Sequence, residues 1–136
     1  MGYVQDPVYL KKVAAFVSIA GGGNDPTKAN IIVTEGTEGW MFHSTNDTVV
    51  PYTMTTRMFE AVNLLAGKEQ IKLTTYAAGH IIANKATNPI ENKAFYEWLS
   101  TNIKPGAAEN VVEIKVLDGV LKVKTMVREY SIPLEY

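Results

Sequence analysis

Apolar positions fall into two regimes along this chain. From Val13 to about Asn102 short unbroken apolar runs alternate with longer stretches of helical spacing; from Val111 onward apolar and polar residues simply alternate. The first run, VAAFVSIA (Val13–Ala20), stops at three consecutive glycines and reads as a buried strand feeding a loop. GGGNDPTKAN then has the residues of a surface connection. GWMFHS (Gly39–Ser44) is a second strand, followed by the loop TNDTVVPYT. In MTTRMFEAVNLLAGK, Met54, Met58, Ala61, Val62 and Leu65 recur at helical spacing, and Gly67 is placed to end that helix. IKLTTYA alternates as a third strand. NPIENKAFYEWLSTNI predicts a helix with Asn88 at its cap, Pro89 in its first turn and Glu91 as the capping-box acid; its buried stripe is Phe95, Leu99 and either Trp98 or Ile103, and Pro105-Gly106 ends it.

Strands alternating with helices predict an α/β fold with a parallel sheet. Three strands are few for a sheet that must be covered on both faces, which points to further structure or a partner. The last segment differs. Asp118-Gly119 between alternating runs predicts a two-residue hairpin. Pairing Leu117 with Val120 sets Val116 opposite Leu121, Ile114 opposite Val123 and Val112 opposite Thr125, with Glu113–Lys124 and Lys115–Lys122 on the polar face. REYSIPLEY reads as a further edge segment, because Pro133 disfavours a central strand. The tail is expected either to pack on the α/β part or to extend its sheet.

Composition narrows the picture without deciding it. The chain has 136 residues, 46% hydrophobic and 20% charged, which fits one ordinary globular domain. A net charge of -1 gives no electrostatic footprint for nucleic acid or an anionic membrane. No apolar run is long enough to cross a bilayer. MGYVQDPVYLKK lacks a signal-peptide layout, and Asp6 stands where a myristoylation motif requires Ser or Thr. Without cysteine there is no disulfide or thiolate metal site, two histidines make a poor basis for structural zinc, and the compartment stays open. No cofactor or metal is expected. The triple glycine shows neither the spacing nor the helix start of a phosphate-binding loop.

Candidate chemistry lies at strand ends. Asp47 follows the second strand and His80 follows the third, where α/β sheets place function. Consecutive crossover units bring such loops side by side. An aspartate that accepts from one imidazole nitrogen leaves the other free as a general base. The plainer reading takes Asp47 as a turn former and His80 as structural. His43 is expected to orient the acid loop by hydrogen bonding.

VAAFVSIAGGG, GWMFHSTNDTVVPYTMTTRMFEAV, IKLTTYAAGH and FYEWL, taken in order, resemble the C-terminal half of an α/β-hydrolase of the esterase, dienelactone-hydrolase-like and predicted-peptidase group. The resemblance runs from about Tyr3 to Lys104. It implies an α/β-hydrolase portion over 1–104 (parallel strands with crossover helices), which leaves the alternating tail as a β-hairpin extension over 105–136. It also implies that Asp47 is the triad acid, that His80 is the triad base, and that a small-molecule carboxylic ester is the substrate of the full enzyme. Ser44 departs from the family, which often has glycine there. No G-x-S-x-G elbow occurs in these residues. Ser18, Ser44, Ser100 and Ser131 all lack the strand–turn–helix setting that exposes a nucleophile and are read as structural. The serine is therefore expected from an N-terminal half of the hydrolase, and the chain alone is expected to be inactive. The contrasting expectation is a non-catalytic assembly module that complements such a half or pairs with a second copy.

Overall fold

The computed structural model describes residues 13–102, 111–125 and 129–135. β1 (Ala15–Ile19), β2 (Glu38–Ser44) and β3 (Ile71–Tyr76) are parallel; β4 (Val111–Leu117), β5 (Val120–Thr125) and β6 (Glu129–Glu135) are antiparallel. The two sets join where β6 runs parallel to β1, giving a six-stranded sheet of order β3-β2-β1-β6-β5-β4. The tail thus extends the sheet. The helices are α1 (Ala29–Glu35), α2 (Tyr52–Ala66), α3 (Ala83–Ala86) and α4 (Lys93–Asn102).

β1 and β2 are buried on both sides, so their side chains divide between two cores, while β3 lies at the sheet edge with Ile71 as its one buried residue. Phe16 and Met41 pack with Ala29 and Ile32 of α1, Met58 and Val62 of α2, and Ile71. Val17, Ile19 and Phe42 turn the other way and pack with Ala86 of α3, Phe95 and Leu99 of α4, and Leu121, Val123 and Ile132 of the tail. Burial of each of these side chains other than the two alanines contributes about 1.5–3 kcal/mol. Trp40, Phe95 and Trp98 tighten the second core through edge-on ring contacts, with centroids 5.6 Å and 5.5 Å from Trp40. Gly39 is the close-approach point of the first core: a Cβ there would stand 2.3 Å from the Phe16 ring.

Several elements differ from the sequence reading. Residues 26–35, read as a surface connection and the stretch beyond it, form a 3₁₀ turn (Pro26–Lys28) that runs into α1. Asp25 caps that turn by accepting from the Thr27 amide at 3.0 Å, Pro26 supplies the fixed φ, and Gly36 ends α1 at φ 65°. The buried stripe of α2 is Thr55, Met58 and Val62, whereas Met54 and Leu65 are exposed, because this helix meets the sheet through one narrow face. Asn88 caps a turn over residues 89–92, accepting from the amides of Ile90 and Glu91, and α4 begins only at Lys93. Ile103, Pro105 and Gly106 lie outside the described residues.

In the tail the pairs Leu117–Val120, Val116–Leu121, Ile114–Val123, Lys115–Lys122 and Glu113–Lys124 stand as expected. Thr125 faces Val111 rather than Val112, because an irregularity between Val111 and Glu113 shifts the register. β6 is a central strand, not an edge. Pro133 is tolerated because the strand changes partners there: Glu129–Pro133 pair with β5, and Leu134 and Glu135 pair with β1. The missing amide sits where the two ladders meet.

Candidate active site

β2 and β3 end side by side, and the loops that leave them are stitched together by polar contacts. The Thr45 amide donates to the Tyr76 carbonyl (2.7 Å), the Ala78 amide to Ser44 Oγ (3.4 Å), and the Gly79 amide to Asn46 Oδ1 (3.0 Å). Gly79 holds φ 71°, a left-handed turn that needs no Cβ and presents the next residue toward the first loop. That residue is His80. Its Nδ1 lies 2.9 Å from Asp47 Oδ2. The two side chains, 33 positions apart in the chain, are brought together as the strand-end argument expected.

Asp47 is held on every side. Its Oδ1 accepts from the amides of Val49 (2.8 Å) and Val50 (2.9 Å), so the loop folds around its own carboxylate. Oδ2 faces His80 Nδ1 and also His43 Nε2 at 3.2 Å. The side chain has no solvent exposure. Burial alone would raise its pKa, but the hydrogen bond from His80 and those from Val50 and Val49 outweigh burial, and the carboxyl stays below its ordinary value. It is therefore an ionised acceptor, suited to holding an imidazole in one tautomer.

His43 is wholly buried and serves the loop, as expected. Its Nε2 lies 2.9 Å from the Val50 carbonyl and its Nδ1 2.7 Å from Thr55 Oγ1. A carbonyl can only accept, so Nε2 carries the proton and Nδ1 accepts from the threonine hydroxyl. The first turn of α2 thereby anchors the acid loop to the end of β2. Thr55 and Asn46 were not singled out in the sequence. Asn46 could have been found as the polar neighbour of a strand-end acid; Thr55 carries no local signal, since its role depends on a histidine twelve positions away.

His80 differs from His43 in access. Its side chain keeps 24% of its surface, and Nε2 has no partner among the described residues. None of the four serines hydrogen-bonds to it. Ser18 is buried in β1 with no partner for Oγ, Ser44 is buried and accepts from Ala78, Ser100 donates to the Tyr96 carbonyl within α4, and Ser131 lies on β6. A cavity of about 270 Å³ lies elsewhere, between the second core and the hairpin, lined by Phe42, Phe95, Tyr96, Ile114 and Val116 among others, and it includes neither Asp47 nor His80. Among the described residues no cluster of three or more histidines or acids could hold a metal.

The model of the prolyl oligopeptidase family matches residues 29–106, more than half of the chain and a span that contains both Asp47 and His80. No curated protein and no solved structure matches the chain. The parallel strands with covering helices agree with the family match, and the chain belongs to the prolyl oligopeptidase family, a family of α/β-hydrolase-type serine hydrolases.

Proposed function

We propose that this chain is the C-terminal part of a serine hydrolase that cleaves carboxylic esters, with Asp47 as the triad acid and His80 as the base. The observation that carries the reading is the 2.9 Å contact between a buried, depressed-pKa carboxylate and an imidazole whose second nitrogen is free. In that role Asp47 holds the Nδ1 proton, and the Nε2 lone pair takes the proton of an attacking serine hydroxyl. His80 then returns it to the leaving group, and the same steps with water release the acid. Asp47 stabilises the imidazolium that forms in between.

The serine comes from a polypeptide that carries a strand, a G-x-S-x-G turn and a helix. β1 has two edges; β2 holds one and β6 the other. A strand added beside β1 must therefore share or replace the place of β6. This is also the observation behind the second reading, a non-catalytic assembly module that pairs with an N-terminal half or a second copy. Partners of nucleic-acid or membrane type are not proposed, and no helix among the described residues is long and apolar enough to cross a membrane.

The test is complementation. A segment bearing the serine elbow is added to the chain, and hydrolysis of a short-chain aryl ester is followed beside that of a proline-containing peptide anilide. Ester cleavage that falls at least about a hundredfold in both Asp47→Ala and His80→Ala supports the reading. Activity unchanged in both variants removes the assigned roles. Cleavage of the anilide alone keeps the roles but replaces the ester by a peptide bond.

A further inference from the structure

β4 ends the sheet, and among the described residues its sole strand neighbour is β5. Residues 113–118 are exposed throughout; Ile114, Val116 and Leu117 keep 44%, 49% and 51% of their surface. The opposite edge, β3, keeps five of its six residues buried or half-buried. Exposed edges with apolar side chains are templates for another strand, and proteins usually guard them with a proline, a bulge or an inward charge. β4 is irregular only near Val112; from Glu113 to Leu117 its ladder is regular. In a two-residue hairpin Leu117 and Val120 exchange hydrogen bonds. By alternation, Ile114 and Val116 turn their amides and carbonyls away from β5, free for a partner.

We propose that β4 pairs antiparallel with β4 of a second copy of this chain, about a two-fold axis through Ile114. Charge complementarity selects the partner and the register. Only registers whose paired positions sum to an even number keep the apolar face together. Centring on Lys115 sets Lys115 against the partner's Lys115; centring on Val116 sets Lys115 against Leu117. Centring on Ile114 sets Glu113 against the partner's Lys115, twice by symmetry, with the two Ile114 side chains in contact. These ion pairs fall at non-hydrogen-bonded positions, where side chains approach most closely.

The fold supplies a further reason. Lys115 stands directly opposite Lys122, a like-charge pair that is unfavourable in an antiparallel ladder. Within the chain it is offset by Glu113, 3.5 Å from Lys115, and by Glu129, 3.7 Å from Lys122. A partner's Glu113 on the open side of Lys115 adds a second carboxylate to this patch. The contact is isologous and uses up the edge in both copies, so it closes as a dimer rather than growing. It stands whether or not the hydrolase reading does.

Sedimentation equilibrium with light scattering tests it. The wild-type chain is expected to be a dimer that dissociates on dilution and at high salt. Lys115→Glu and Glu113→Lys each set like charges across the axis and should weaken association by about tenfold or more. An equimolar mixture of the two should associate again, because each supplies what the other repels. Ile114→Pro removes only an outward amide, so it should give a folded monomer by circular dichroism. The proposal is overturned by a wild-type chain that is monomeric up to its solubility limit. It is equally overturned by a dimer indifferent to Lys115→Glu and Ile114→Pro, or by single variants that fail to pair when mixed.

Discussion

The parallel and antiparallel halves of this sheet hold their strands in different ways. In β1 and β2 the side chains divide between two helix-covered cores, β3 adds Ile71 to one of them, and register is set by those cores and by polar stitches between loops. In β4–β6 one face meets the second core, the other carries Glu113, Lys115, Lys122, Lys124 and Glu129, and burial falls off toward β4. The candidate chemistry sits in the first half because only there can a carboxylate be stripped of water and still be fully hydrogen-bonded. The second half lends the first its strand β6 and leaves its own outer edge open. The hairpin thus moves the unsatisfied edge outward rather than removing it.

The largest effects should come from core substitutions in the parallel half. Phe42 is wholly buried between β1, α4 and the tail, and Phe42→Ala is expected to cost about 3–5 kcal/mol, which is enough to unfold a domain of marginal stability. Urea titration measures it. A cost below about 1 kcal/mol would mean the second core is not formed as described. Next in size is Gly39→Ala. The added methyl must displace the Phe16 ring, and about 1–3 kcal/mol of overpacking is expected. Val62 belongs to the same core, and Val62→Ala there leaves a cavity instead of a clash.

Much of this was legible in the sequence, and the exceptions share a cause. β2, β3 and the hairpin register followed from patterns that each segment carries alone, such as the alternation around Asp118-Gly119. Asp47 and His80 could be placed together because parallel strands put their ends on one side. α1 was missed because a seven-residue helix leaves little periodicity and lies behind three glycines; Asp25-Pro26 before it and Gly36 after it were the usable signals. Pro133 misled because the rule against central prolines assumes one partner per edge for the whole strand, whereas β6 changes partners at that residue. The Thr55–His43 contact was invisible, since neither residue type announces the other.

Acid should act first on the parallel half. The folded carboxyl of Asp47 lies below its ordinary value of 3.8, so its contribution to stability is present above that value. It is lost as pH falls through the lower folded value, when the unfolded chain binds the proton more readily. Asp47→Asn removes the titrating group but not the loop. Its stability should lie below wild type at neutral pH, and the gap should narrow steadily as pH drops through the carboxylate range. Thermal melts at a series of pH values measure this; a gap independent of pH would mean that the carboxylate is not held in its ionised form by His80, Val49 and Val50.

The smallest effect should come from Ile114, set against its cross-strand partner Val123. They are directly opposite on the same face of the hairpin, yet Val123 is wholly buried and Ile114 is 44% exposed. Val123→Thr puts a hydroxyl into the second core with no partner at hand, which should cost about 1–3 kcal/mol. Ile114→Thr trades one β-branched residue for another at the rim, where the hydroxyl meets water, and should change stability by no more than about 0.5 kcal/mol in dilute solution. Equal costs at the two positions would show that the second core reaches across β5 to β4, and the contrast between the halves would then be one of charge rather than burial.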